Sequence, residues 1–576
     1  MSQSQIRFWI VAGVWLTAIA VMYLHGLSGA LFYDDIRPLE KLGEIDSLFS
    51  FAALDFVLGE ISGPLGRPVA MFSFLLHHAG WPDNLPSLLL VNVLIHGLNG
   101  VLVYILTGQL LRMTGAASPH PHVPRILAAL AALLWLMLPI HAATILIPIQ
   151  RMAALSTTFV LLGVIVYLAG LQLQSRGHRR GPDLQILSLA VCLPLAVLTK
   201  ENGALLPLLL LVIELTLLTH RPDIQRYRAI RLTALSFASL AIIGYLLKGL
   251  FNHPFEPFAG RDFSVIERLL SQPLILVDYL RQAFVPNWQA INPFQDHWRH
   301  VEHWTLLSPE GLALAAILAW LFAALIARRR WPWFAFGSLW FLGAHLLEST
   351  TLGLELSFLH RNYLPLVGLA ILMAIGIQRL WALKQPAISV AIVLYLGFLG
   401  FSLANVVLVW GQPETAARVW FETQPASQRA AAYLAEPLWE RGDSVTALDV
   451  MEQNLSVCPD CMFSRSWALA LACDMGKNET VRLHFDALLA HSPRKASLSS
   501  AAKNIESFYV LLKEGRCAPG QAYNAYILLE RLIETRPPHA RKSEIANLWW
   551  QLSRLYMLDG ETKTALEILQ KSMQIN

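Results

Sequence analysis

The chain has 576 residues, 55% of them hydrophobic and only 15% charged, with a formal net charge of +4. Soluble domains carry about 25% charged residues, so the composition excludes an ordinary soluble protein, and so small a net charge gives no reason to expect nucleic acid as a partner. The apolar excess lies in residues 1–410, whereas 411–576 has the charge density of a soluble domain.

In chain order, stretches approaching the roughly 20 apolar residues that cross a bilayer lie at 8–27, 86–111, 125–145, 152–172, 184–199, 203–219, 232–250, 309–327, 331–347, 363–380 and 387–410, which predicts eleven spans. No small-residue cleavage site follows the first, so it reads as a retained span and not a removed signal peptide. Residues 273–284 carry Asp278 and Arg281 and read as a re-entrant or interfacial helix. Arg7, Arg112, Arg125, RGHRR (176–180), RPDIQRYRAIR (221–231), RRR (328–330), Arg379 and Lys384 fall in alternate loops. The excess of basic residues on the cytoplasmic side then places Asp34, Asp35, Arg151, Lys200, Glu201 and the 348–362 loop on the outer face. An odd number of spans sends the C-terminal domain there as well.

After a linker at 411–426, Gly442 and Gly476 stand 34 residues apart, as do Pro459 and Pro493, and GETKTALEIL (560–569) echoes GDSVTALDVM (442–451). A 34-residue helix–turn–helix period is the tetratricopeptide pattern. The fold expected is therefore all-α: a polytopic membrane helix bundle over 1–410, then a soluble α-solenoid of tetratricopeptide-like repeats over 427–576. Such stacks either bind proteins or peptides on a concave face or serve as platforms. Four of the five cysteines, Cys458, Cys461, Cys473 and Cys517, fall in this external domain. An even number there suggests two disulfides, with 458–461 and 473–517 as the first pairing to test. CPDC is also compatible with a redox pair, while no second CxxC or paired His follows to complete a zinc site. Cys192, inside a span, reads as small apolar filler.

The polar residues of the membrane domain gather towards one face. LFYDDIRP (31–38) brings Asp34 and Asp35; GRPVAMFSF (66–74) brings Arg67; VNVLIHGLNG (91–100) brings Asn92, His96 and Asn99. HAATILIPIQRMAALS (141–156) brings His141, Gln150 and Arg151, LTKENGALLP (198–207) brings Lys200, Glu201 and Asn202, and LELSFLHRNYLP (354–365) brings Glu355, His360, Arg361 and Tyr363. Single members have plainer readings. Asn92, His96 and Asn99 suit interhelical hydrogen bonding, Arg151 or Lys200 could snorkel, and Arg67-Pro68 could simply start a helix. Together, one acidic pair and several cations on one membrane face point to transfer from an anionic lipid-linked donor. Cations such as Arg151, Lys200, His360 and Arg361 would hold the phosphate, and a carboxylate would deprotonate an acceptor hydroxyl.

These motifs, in this order, resemble polytopic glycosyltransferases of the GT-C class, most of all the TMTC type of O-mannosyltransferase and its bacterial tetratricopeptide relatives. The resemblance covers most of the chain. It implies a polyprenyl-phosphate or polyprenyl-pyrophosphate sugar donor, a hydroxyl of a protein or glycan as acceptor, and an acid of the first external loop, Asp34 or Asp35, as base or acceptor-orienting group. Between the two, Asp35 is favoured if the first span stays helical to Tyr33. The pair is also the place for a divalent metal, Mg²⁺ or Mn²⁺, if one is used. The location implied is a bacterial inner membrane, with the N-terminus cytoplasmic and the C-terminal domain periplasmic. The stretch that is HPVH-like in the family is here PIHAAT (139–144), and the SK-P-like stretch is TKENG (199–203). A ligase or polymerase of lipid-linked oligosaccharides, suggested by HRNYLP, and a non-catalytic membrane scaffold are the competing expectations.

Overall fold

The computed structural model describes residues 13–575 apart from 15–16, 18–19, 60–62, 64, 116–122, 220, 252–253, 259–260, 302, 491–497, 517–521, 537–539 and 541. The start of the first expected span, Arg7, Pro493 and Cys517 therefore lie outside the described residues. All regular elements among the described residues are helices.

Among the described residues six helices are long and apolar enough to cross a membrane: Leu85–Met113, Pro148–Ser175, Gly181–Thr199, Arg228–Phe251, Pro309–Ala327 and Pro386–Trp410. A seventh is gained if Val123–Leu136 and Pro139–Ile145, bent by 55° at Met137-Leu138, count as one span. The expected spans at 203–219, 331–347 and 363–380 are shorter helices, Leu206–Thr216, Pro332–Ala344 and Pro365–Trp381. Each has a proline at its first or second position, where the missing N–H is harmless but no helix continues backwards through it. The described part of the first span runs into a 3-10 turn, Leu24–Ser28. The segment around 273–284 belongs to a 20-residue helix, Val265–Phe284, opened by a capping box in which Ser264 and Glu267 exchange hydrogen bonds with each other's backbone.

Helices Leu85–Met113 and Arg151–Ser175 form the centre of the bundle and bury most of their length. Close approach depends on absent side chains: a Cβ on Gly100 would lie 2.5 Å from Leu136, and one on Gly368 2.6 Å from Trp340. By contrast Phe237, Leu240, Ile326 and Phe401 stand exposed on the outer helices, as side chains facing lipid should.

Beyond Trp410, the chain forms consecutive antiparallel helix pairs, beginning with Gln428–Glu440 and Ser444–Val457, then Met462–Asp474 and Asn478–Ala490. Two further pairs follow, Leu498–Lys513 with Ala522–Glu534 and Lys542–Leu558 with Thr562–Ile575. Gly442, Gly476, Gly515 and Gly560 all have positive φ, between 67° and 84°, each just past the end of a helix, the left-handed position that glycine fills most cheaply. Asp474 links units, accepting from Trp439 Nε1 and Ser444 Oγ at 2.8 Å each and pairing with Arg516. Cys458 and Cys461 form a disulfide at the turn between helices. Cys473 is also disulfide-bonded, and Cys192 is a free thiol.

Candidate active site

Helix Tyr33–Leu39 begins on an extended Phe32, and Asp35 occupies its third position. Asp35 Oδ2 accepts the Phe32 amide at 2.8 Å and Oδ1 accepts the Ile149 amide at 2.7 Å. One carboxylate therefore ties the helix start to the segment before Arg151, and it is buried. Burial pushes its carboxyl up to about 7, against the pull of the two amides and with the repulsion of Asp34 added. Successive helix residues point about 100° apart, so Asp34 faces elsewhere. It remains exposed and lines a cavity together with Phe32, Ile147, Gln150, Phe294, Phe358, His360 and Arg429. The expectation that Asp35 is the outward acid is thus corrected: Asp34 faces the cavity and Asp35 anchors it.

Loss of surrounding water raises the Asp34 carboxyl above its ordinary value; Arg429 acts to lower it, Glu355 to raise it and Arg261 to lower it. Gln150 is buried beside this cavity, and its Oε1 has no hydrogen-bond partner among the described residues.

His360 is shared with a second, more enclosed cavity, lined also by Ser156, Thr157, Lys200, Asn202, Arg361 and Tyr363. Lys200 Nζ lies 3.0 Å from Glu348 Oε1, both side chains nearly buried. Burial alone would raise Glu348, but the charges of Lys200 and Arg361 hold it well below the ordinary carboxylate value. Burial and the nearby Lys200 keep His360 well below the usual histidine range, so it is neutral. The loop carrying Glu348 and Glu355 is caged by Arg268, which donates to the carbonyls of Glu348 at 2.6 Å, Thr350 at 3.0 Å and Glu355 at 2.9 Å, and to that of Leu354.

Among the expected site residues, Arg67 grips Glu201 with Nε at 3.2 Å and Nη2 at 3.0 Å, from a left-handed backbone (φ 58°). A non-glycine residue held there is strained and has to be fixed by its surroundings; the Glu201 fork does that. Glu355 pairs with Arg261 beside the Asp34 cavity. Arg361 donates to the Leu356 carbonyl at 3.1 Å and covers the Phe358 ring.

Arg151 is not placed to meet a donor phosphate. Its guanidinium is fully buried and donates to Asn92 Oδ1 at 2.8 Å, the Ser73 carbonyl at 2.9 Å and the Leu88 carbonyl at 2.8 Å. The planar guanidinium and five donors that make arginine a good phosphate ligand also make it a good interhelical clamp. His96 and Asn99 likewise join helices, His96 Nδ1 meeting the Tyr363 hydroxyl at 2.8 Å and Asn99 Nδ2 donating to the Ala154 carbonyl at 3.0 Å. His141 packs among His96, Trp135 and Tyr363, away from both cavities.

Each oxygen of Asp35 accepts one backbone amide, one from Phe32 and one from Ile149, and keeps a second lone pair. Among the described residues no group of three or more His, Cys, Asp or Glu could hold a metal ion. Sequence reasoning missed Arg429, Phe358, Glu348 and Arg268 as parts of the site. Only Arg268 carried a local signal, being an arginine one residue past the S-x-x-E capping pattern of a helix otherwise apolar on one side.

The class defined by these features is an all-helical membrane protein with helix pairs at its C-terminal end. No family model, curated protein or solved structure matches the chain.

Proposed function

We propose that the protein is a membrane glycosyltransferase of GT-C type, moving a sugar from a polyprenyl-phosphate-linked donor to a hydroxyl of a protein or glycan. The observation that carries this reading is the pairing of two cavities through His360. One holds an exposed carboxylate, Asp34, and the other holds Lys200 and Arg361 against a single acid, Glu348. Asp34 takes the proton of the acceptor hydroxyl as its oxygen bonds to the anomeric carbon. The bond from that carbon to the donor phosphate oxygen breaks, and the phosphate leaves with the electron pair. Lys200 and Arg361 stabilise that charge. A carboxyl raised by its surroundings is a stronger base than a free one, provided it is ionised at working pH. Gln150 Oε1 offers an acceptor for a sugar or acceptor hydroxyl.

In this reading the shorter apolar helices complete eleven crossings in a bacterial inner membrane. The N-terminus is then cytoplasmic, and the helix pairs form a periplasmic tetratricopeptide-like solenoid that receives the acceptor. Mass spectrometry of envelope proteins and glycans from cells with and without the gene tests it. A hexose-sized or other sugar mass missing from a specific acceptor is expected; identical profiles would contradict the reading.

A further inference from the structure

The first turn of helix Gln428–Glu440 is fixed to the membrane domain by one carboxylate. Ser427 Oγ donates to Asp296 Oδ1 at 2.5 Å, the Arg429 amide donates to Oδ2 at 3.2 Å, and Ser427 Oγ in turn accepts from Ala430 N at 3.0 Å. Phe32, next to the acidic pair, stacks on Tyr433 of the same helix with centroids 5.8 Å apart and packs on Trp410 and Trp420. Seated this way, Arg429 reaches over the Phe358 ring, 5.7 Å from its centre, and lines the cavity of Asp34. His360 is neutral, so Arg429 is the permanent cation among the described residues lining that cavity.

We propose that the external helical domain is a working part of the reaction cavity, and that Arg429 is a positioning residue acting on the chemistry through Asp34. This rests on the transfer reaction proposed above and goes beyond recruitment of the acceptor. The other groups that bear on Asp34 all belong to the membrane domain: Glu355 with its partner Arg261, Asp35 beside it in the helix, His360 in the same cavity, and Asp296 beneath Arg429. Of these charges, only Arg429 arrives with the external domain. Its presence favours the ionised carboxylate, so a domain that lifts away would leave less of Asp34 in the proton-accepting form at the same pH. Acceptor seating and catalytic readiness are thereby coupled.

The test is titration of Asp34 in the full-length protein in membranes, by esterification with a diazo reagent that consumes the protonated acid, read by peptide mass spectrometry. The acid limb of kcat/KM is followed in parallel. Arg429→Gln is expected to move the Asp34 midpoint upward, and Arg429→Lys to leave it near that of the parent. Ser427→Ala, which loosens the seat without changing charge, should move it the same way by less. A midpoint unchanged in Arg429→Gln overturns the proposal, as does an upward shift that Arg429→Lys fails to reverse. The esterification needs no turnover, so a parent protein that transfers no sugar refutes the reaction while the titration still judges Arg429.

Discussion

Both oxygens of Asp35 accept amide protons in the interior, one from its own helix start and one from Ile149, and this makes Asp35 a stability residue with an unusual pH sign. Its carboxyl titrates at about 7 in the folded chain, above the ordinary value of 3.8. Folding is therefore opposed by ionisation: the penalty is absent below the ordinary value, grows between it and about 7, and is complete above. Histidines such as His77 and His360, held low by burial, work the other way below their free value of 6.5, so a single protein's profile mixes both. The difference between the parent and Asp35→Asn isolates the acid. From pH 8 to pH 6 the parent should gain thermal stability in detergent relative to Asp35→Asn; a constant gap would reject this account. At any pH the variant leaves one amide without its acceptor, a loss of roughly 1–3 kcal/mol. The presence of two adjacent acids was legible from the sequence, but their division of labour was not. Which side of a helix faces a cavity depends on where Ile147–Gln150 and Phe358 lie, and no local pattern near residue 34 specifies that.

At the scale of elements, the turn Glu201–Leu205 and the loop from Glu348 are held together by the Lys200–Glu348 pair, both ends nearly buried at 8% and 6% exposure. Removing one member of a buried pair strands the other charge, which typically costs roughly 3–5 kcal/mol, whereas replacing both by apolar groups is often close to neutral. Glu348→Gln should therefore lower unfolding stability by an amount of that order, and Lys200→Met with Glu348→Leu by clearly less. Denaturant or thermal unfolding of purified protein decides it. A double variant as unstable as the single would contradict the pairing argument. Hydropathy located Leu85–Met113 and Pro386–Trp410 closely, because long unbroken apolar runs have few alternatives. The helices inside 203–219 and 331–347 are shorter, Leu206–Thr216 opening at Pro207 and Pro332–Ala344 ending at the His345 cap, breaks that averaging over a window hides. Val265–Phe284 was only partly seen, because Asp278 and Arg281 interrupt the apolar count although Ser264 and Glu267 mark a helix start and Val265, Arg268 and Gln272 lie on its buried face.

Across the whole molecule, the glycine-marked turns at Gly442, Gly476 and Gly560 were readable, since each is a local requirement for positive φ repeated along the chain. Arg429 was not, because its meaning comes from Phe358 and Asp34, 71 and 395 residues away, and contacts at that range leave no periodic trace. The same folding that brings Phe32, Trp410, Trp420 and Tyr433 into one aromatic cluster packs helix Gln428–Glu440 against the start of the acidic helix. The proposed role of Asp34 as the base for transfer of a lipid-linked sugar is open to an assay of that transfer in membranes carrying the parent or Asp34→Asn at matched protein level. Asparagine preserves shape and removes the proton acceptor, so the account predicts a fall of about 10²–10⁴-fold with donor binding retained; transfer at the parent's rate in Asp34→Asn would contradict it.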